Sequence, residues 1–184
     1  MTQPNTSTQQ EHAAPQKSNR RMHLGLSGAV IIIALIIIFM PKKTAQDTSS
    51  VSAAPMFKKE GVCTITDREN KPKVSLDIEI ADNDKRREIG MMGRPTMEEH
   101  QGMLFVFQEE YAASFWMKNT ILPLDIIFIN KLGEIITICK NTTPFSEQSY
   151  SSTGLTLFVL EVNAGFTDTY NIKEGDRIIW KRVP

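Results

Sequence analysis

A chain of 184 residues is long enough for one folded domain with an appendage, but it is too short for two full domains. Its 21 basic and 21 acidic residues balance formally, yet five of the basic and two of the acidic residues precede position 58. The 16 basic and 19 acidic residues that remain make the rest of the chain mildly acidic. Because a polyphosphate backbone needs a basic surface, this charge disfavours nucleic acid as a partner.

The first feature in chain order is an uncharged apolar run, Leu24–Met40, of seventeen residues. As a helix this run would span roughly 26 Å, close to the hydrocarbon thickness of a bilayer. Pro41-Lys42-Lys43 follows it, where a cleaved signal peptide would carry small residues and a lipoprotein signal would carry a cysteine. Three basic residues precede the run and two follow it, a bias that favours a cytoplasmic N-terminus.

These observations predict four segments. Residues 1–23 are expected to form a disordered cytoplasmic tail, because they are polar and have few apolar groups. Residues 24–40 are expected to anchor the chain in the cytoplasmic membrane by a single span. Residues 41–60 should form a flexible linker. Residues 61–184 would then fold as one domain in the periplasm or outside the cell.

Short runs with period two dominate the chain from Gly61 onward, and they predict strands. Val74, Leu76, Ile78 and Ile80 alternate with polar residues, as in a half-buried strand. Further strands are predicted at Val62–Thr66, Met103–Phe107, Phe115–Lys118, Leu124–Asn130, Glu134–Cys139, Leu155–Val162 and Arg177–Arg182. Lys131-Leu132-Gly133 predicts a hairpin turn, since Gly133 tolerates a positive φ.

Two short helices are predicted among these strands, from Asp82-Asn83-Asp84 to about Met92 and from about Gly165 to Tyr170. The fold class is therefore α+β, a small barrel or sandwich of seven to eight mostly antiparallel strands with two short helices. The chain shows no alternating strand–helix pattern and no glycine-rich phosphate-binding motif. A doubly wound nucleotide-binding sheet is therefore not expected.

Three motifs in order resemble a known family. They are Gly90, Met92 and Arg94; then Gly102–Phe105; then Phe115–Thr120 leading to Pro123-Leu124-Asp125. They are similar to the bacterial and archaeal family called domain of unknown function 192, with Met91 where leucine is usual. The segment from Val159 to Gly165 and the later Gly175-Asp176 also resemble the end of that family. The resemblance implies a compact strand-rich fold and brings no established activity.

The same motifs hold the candidate ligand-binding residues, which combine an aromatic ring, cations and hydrogen-bonding groups. They are Arg94, Trp116, Lys118, Asn119, Thr120 and Asp125. Trp116 offers a stacking surface, and Arg94 with Lys118 could hold an anionic group, which favours a small anionic or polyhydroxylated ligand. In the alternative interpretation, Arg94 and Asp125 form an ion pair that fixes one loop and Lys118 points to solvent.

Catalytic candidates are few. Asp125 and Glu161 could act as a pair of working carboxyls, which would require the two groups to lie near each other. The alternative is that they are unrelated strand residues. His100 is the one histidine after position 58, so a triad or a multi-histidine zinc site is not expected. The methionines between Met91 and Met117 suit core packing better than a Cu(I) site.

The sequence therefore favours a membrane-anchored ligand-binding or accessory module that needs no cofactor and no metal. Two alternatives stay open. One is a small hydrolase-like enzyme that uses Asp125 or Glu161, with Lys118 or Arg94 stabilising negative charge. The other is a structural partner of an envelope complex, which would present a large exposed apolar patch. Cys63 and Cys139 could form a disulfide or could serve as two small apolar residues.

Overall fold

The structure is a computed structural model, and it describes residues 56–184. The predicted tail at 1–23, the predicted anchor at 24–40 and residues 41–55 of the predicted linker lie outside the described residues. Between residues 56 and 184, no helix is long and apolar enough to cross a bilayer. Residues 56–60 precede the first strand without regular secondary structure.

Residues 56–184 fold into a single seven-stranded sheet with two short helices. The elements in chain order are β1 (Gly61–Thr66), β2 (Pro72–Ala81), α1 (Asp84–Ile89), β3 (Gln101–Phe115), β4 (Leu124–Ile129), β5 (Ile135–Cys139), β6 (Tyr150–Asn163), α2 (Phe166–Thr169) and β7 (Arg177–Arg182). The spatial order of the strands is β5-β4-β6-β3-β2-β1-β7. The β2–β3 pair is parallel and the other pairs are antiparallel. The strand-rich α+β prediction is thus confirmed.

The sheet curls so that its two edge strands meet. The amide of Ile135 donates to the carbonyl of Asp176 at 2.8 Å, and the amide of Ile178 donates to the carbonyl of Gly133 at 2.8 Å. Glu134 and Arg177 form a single antiparallel bridge between these edges. One curled sheet, in the manner of a half-barrel, therefore replaces the two stacked sheets of the sandwich alternative.

Two segments differ from the predicted elements. The predicted strand Phe115–Lys118 does not form, because Phe115 ends β3 and the chain turns immediately after it. The predicted strand Met103–Phe107 is the first part of the same fifteen-residue β3, which continues through exposed residues with register irregularities. The parallel β2–β3 pair was also not predicted. The connection from β2 to β3 runs through α1, and it is long enough for the crossover that a parallel pair requires.

The predicted hairpin is confirmed between β4 and β5, where Gly133 has φ 77°. A side chain at Gly133 would be strained there, and its Cβ would come within 2.9 Å of the carbonyl oxygen of Ile178. Both helices form where they were predicted, although each is shorter than expected. The first ends at Ile89, because Gly90 has φ 47° and leaves the helical region.

The sheet carries a core on each face. The inner core fills the curl and includes Leu76, Ile78, Leu160 and Phe166. The outer core covers the opposite face and includes Phe105, Met117 and Phe128, with Phe115 packed against it. Strand β4 contributes to both cores, and all six of its residues are buried. Because the sheet is buried on both faces here, every residue of β4 except Asp125 is apolar.

The two cysteines belong to different cores and are unpaired. Cys63 is buried in the inner core, whereas Cys139 packs partly buried against the outer core. Burial raises the pKa of the Cys63 thiol to about 12. Both thiols therefore serve as small apolar side chains, and the disulfide alternative does not form.

Candidate functional site

The segment after β3 forms one wall of a cavity on the outer face of the sheet. Met117 is fully buried in the outer core, and its amide donates to the carbonyl of Ser146 at 2.9 Å. Asn119 has φ 56°, and its carbonyl accepts a hydrogen bond from the amide of Gly93 at 3.0 Å. These contacts fix the loop between two other loops and leave Trp116 half exposed.

Lys118 lies beside that tryptophan. Its Nζ is 4.9 Å from the centroid of the Trp116 ring and 3.5 Å from Oε1 of the exposed Glu147. The cation thus stays near the ring face while its charge remains partly solvated. Thr120 is buried, and its hydroxyl donates weakly to the carbonyl of Lys118 at 3.4 Å.

Helix α1 and the turn after it form the opposite wall. Asn83 caps the helix by accepting a hydrogen bond from the amide of Arg86 at 3.1 Å. Gly90 ends the helix directly against the Phe105 ring, where an added Cβ would lie 3.1 Å from Cζ. Arg87 donates to the carbonyl of Val106 at 2.8 Å and lies over the Phe107 ring at 5.4 Å. The wall is therefore tied to β3 by packing and by a hydrogen bond.

Between these walls is a cavity of about 670 Å³. Phe105 and Phe115 line it and meet edge to face, with ring centroids 5.0 Å apart. The remaining lining comes from the Trp116–Thr120 loop, from α1 and its turn, and from four other strand residues, Phe107, Tyr111, Ser114 and Glu161. This volume lies within the range of about 300–1,000 Å³ that is typical of small-molecule sites.

Glu161 is the one carboxyl of the cavity floor among the described residues. It belongs to β6, where it pairs with Met103 of β3 on one side and with Ile126 of β4 on the other. Its side chain is buried, and its Oε2 has no hydrogen-bond partner within residues 56–184. Burial away from water raises the pKa of Glu161 to about 8, because the charged form loses its solvation.

Arg94 lies in the same outer face but not in the lining of the cavity. Its guanidinium forms a buried ion pair with Glu79 of β2 at 2.5 Å. Glu79 also accepts a hydrogen bond from the amide of Lys58 at 2.9 Å. The predicted ion pair between Arg94 and Asp125 is therefore wrong. Arg94 neutralises a different carboxylate, one that the sequence pattern did not mark.

Asp125 lies at the end of the inner core, where its two oxygens accept four hydrogen bonds. The amides of Asn141 and Gly165 donate to Oδ1 at 2.9 and 3.2 Å. The amide and the hydroxyl of Thr167 donate to Oδ2 at 3.0 and 2.6 Å. Asp125 therefore joins two connecting segments to the start of β4, and it does not line the cavity. Its role as a ligand-binding residue stays a prediction.

The predicted carboxyl pair does not form. Ile126 is the register partner of Glu161, and Asp125 is the partner of Val162. Because successive strand residues point to opposite faces, Asp125 faces the inner core while Glu161 faces the outer one. Two groups separated by the sheet cannot exchange a proton with one bound molecule.

The structure thus brings together four of the six predicted ligand residues. Those that line the cavity are Trp116, Lys118, Asn119 and Thr120. Sequence reasoning missed the lining from α1, because its polar residues resemble any solvated helix face. Glu161 could have been noticed in the sequence, because a single acidic residue within the apolar run Val159–Val162 is unusual for a strand that is buried on both faces. Met91, Met103 and Met117 are buried core residues, as their apolar neighbours indicated.

The fold and the cavity define a class of protein: a small β-rich domain, built on one curled mixed sheet, with an apolar cavity on its outer face. The chain belongs to the domain of unknown function 192 family (DUF192, "Uncharacterized ACR"), whose model matches residues 64–180. The expected resemblance is therefore confirmed. No curated protein matches the sequence.

Two solved structures are similar to this one. A candidate transcription regulator from Sinorhizobium meliloti 1021 is 35% identical, with a TM-score of 0.64 over 68% of this chain and 98% of that chain. A protein of unknown function from Novosphingobium aromaticivorans DSM 12444 is 33% identical, with a TM-score of 0.61 over 65% of this chain and 84% of that chain. Each alignment spans most of the solved relative, so the curled sheet is common to all three proteins.

Proposed function

We propose that this protein is a small-ligand-binding module without a catalytic role, and that its ligand occupies the cavity between α1 and the Trp116–Thr120 loop. The observation that carries the proposal is a buried carboxyl, at the floor of an apolar cavity, with one oxygen that has no hydrogen-bond partner among residues 56–184. In a purely structural core, such a group costs about 1–3 kcal/mol relative to a paired one. A ligand that pairs with it would offset this cost.

The composition of the cavity agrees with this role. Phe105, Phe115 and Trp116 supply apolar contact, while Lys118 and Asn119 supply polar groups near the opening. Binding sites for small molecules combine an apolar lining with a few polar groups in this way. The half-exposed Trp116 ring would be covered by a bound ligand, which would increase its buried apolar area.

An enzymatic role has less support than a binding role. The carboxyl pair that the sequence suggested is divided between two faces of the sheet, and all four hydrogen bonds of Asp125 are made within the fold. Glu161 would have to act without a second carboxyl. The binding module needs no such partner.

A ligand screen tests the proposal. The full-length chain in detergent is screened against a varied metabolite library by thermal shift, and hits are followed by tryptophan fluorescence. Trp116→Ala and Lys118→Ala are expected to remove the stabilisation by every hit. Trp180→Phe is the matched control, because Trp180 packs against the inner core, with its ring centroid 6.1 Å from that of Phe158. This variant should still be stabilised by the hits. Hits that survive both cavity substitutions unchanged would contradict the proposal.

The proposed location is the cytoplasmic membrane, held through residues 24–40, with residues 61–184 in the periplasm or outside the cell. The support is the seventeen-residue uncharged run and the basic residues around it. Protease added to intact spheroplasts is expected to digest the C-terminal domain, and deletion of 24–40 is expected to move the protein out of the membrane fraction. Protection of the domain until the cells are lysed would reverse the proposed orientation.

A further inference from the structure

We infer that the cavity selects a largely apolar molecule with a neutral hydrogen-bonding head group, such as an amide or a hydroxyl, which pairs with Glu161. This inference rests on the proposed ligand-binding function and adds the chemical class of the ligand. It is carried by the position of Glu161 on the cavity floor, by its unpartnered Oε2 within the described residues, and by the groups around it.

No cation lies on the strands that flank Glu161. The row of side chains across the outer face reads Glu79, Met103, Glu161, Ile126 and Cys139, one from each of five neighbouring strands. Met103 and Ile126 therefore separate Glu161 from the nearest ionisable groups of the sheet by two strand spacings, about 10 Å. The cation beyond Met103, Arg94, is already paired with Glu79.

The charged residues of the cavity walls are exposed or partly exposed. Helix α1 contributes Lys85, Arg87 and Glu88, the loop contributes Lys118, and β3 contributes the Tyr111 hydroxyl. Arg87 is held by Asp84 and by the carbonyl of Val106, and Lys118 is held by Glu147. Asp84 and Glu147 offset two of the three cations and Glu88 offsets the third, so the opening is close to neutral and does not by itself select a ligand by charge.

A carboxyl in these surroundings holds its proton at neutral pH. Desolvation raises the pKa of Glu161 to about 8, so the protonated form predominates at pH 7. A protonated carboxyl offers one O–H donor and one carbonyl acceptor side by side. An amide presents the complementary pair, and a hydroxyl can satisfy either atom. An ammonium group would instead require Glu161 to ionise.

Matched probes separate these chemistries. We would titrate the full-length protein with 4-phenylbutanamide, 4-phenylbutylamine and butylbenzene, which share an apolar body and differ in the head group. Trp116 fluorescence in the Trp180→Phe background reports binding. The amide is expected to bind about tenfold tighter than butylbenzene, the gain from one or two buried hydrogen bonds. The amine is expected to bind no better than butylbenzene.

Two substitutions of Glu161 sharpen the result. Glu161→Gln keeps a neutral donor and acceptor, so it should retain amide binding within a few-fold. Glu161→Met keeps the length without the hydrogen bonds, so it should lower amide affinity to that of butylbenzene. For the wild type, amide affinity should be constant below pH 7 and fall above pH 8, by up to tenfold per pH unit. In Glu161→Gln the affinity should not change with pH.

The possible failures are distinguishable. If the amine binds tightest, gains affinity as the pH rises and loses it in Glu161→Gln, the ligand is cationic and the inference is overturned while the binding function stands. The same holds if all three probes bind alike and Glu161→Met changes nothing. If no probe perturbs Trp116, the proposed function and the inference both fall.

Discussion

Asp125 and Glu161 occupy neighbouring strands, one register position apart, yet the two faces of the sheet accommodate their carboxyl groups differently. On the inner face, Asp125 accepts four hydrogen bonds from three residues. On the outer face, Glu161 has an oxygen without a partner among the described residues, and a cavity lies next to it. A paired buried carboxyl stabilises its surroundings, whereas an unpaired one weakens the fold and suits a binding site.

Glu79 is an intermediate case on the outer face. It is as deeply buried as Glu161, but Arg94 neutralises it and the amide of Lys58 donates to it. Its presence two strands away shows that the outer core can provide a partner for a buried acid. That no described residue pairs with Oε2 of Glu161 is therefore a local property of the cavity floor. Three substitutions test these differences, taken in order of expected effect.

Asp125→Ala should have the largest effect on stability. The substitution leaves the amides of Asn141, Gly165 and Thr167 and the Thr167 hydroxyl without an acceptor. We expect the free energy of unfolding to fall by about 4 kcal/mol, measured by urea denaturation. Asp125→Asn, which keeps one acceptor oxygen, should lose about half as much. A loss below about 1 kcal/mol for the alanine variant would show that these bonds do not secure the inner face.

Glu161 should make stability depend on pH. In the unfolded chain it loses its proton near its ordinary pKa of 4.5, whereas the folded protein holds the proton up to about pH 8. The folded state binds more protons between these values, so the free energy of unfolding should fall as the pH rises through that window, by about 3 kcal/mol from pH 4.5 to pH 7.

Glu161→Gln is the control for this titration, because the amide does not ionise. Its free energy of unfolding should exceed that of the wild type at pH 8 and should lack the decline attributed to Glu161. Denaturation midpoints measured from pH 5 to pH 9 provide the comparison. Identical profiles for the two proteins would mean that water or another group solvates Glu161 in the cavity.

Arg94→Met should have the smallest of the three effects. It leaves Glu79 buried without its cation, although the hydrogen bond from the Lys58 amide remains. We expect a loss of about 2 kcal/mol, below the usual range for breaking a buried ion pair because one donor is kept. Arg94→Lys retains a cation and should lose less. The fluorescence response of Trp116 to ligands should survive both substitutions, since Arg94 does not line the cavity.

Periodicity predicted most strands, because a side chain that alternates between core and solvent is visible in the sequence. It predicted one strand, Phe115–Lys118, that does not form, because the two apolar residues Phe115 and Met117 have different roles. Phe115 ends β3, and Met117 anchors a loop in the outer core. Trp116 and Lys118 were found by their chemistry and by the family resemblance. The α1 wall was not found, because a polar helix face gives no sign of what it covers.

The sequence by itself determined the strand-rich domain, its family and the aromatic and cationic loop, because these depend on local pattern and residue type. Only the tertiary structure decided which acids share a site. Arg94 pairs with Glu79, and Asp125 and Glu161 are separated by the sheet between them. Register sets the face to which each side chain points, and it is fixed by pairing between distant strands. Spacing along the chain does not contain that information.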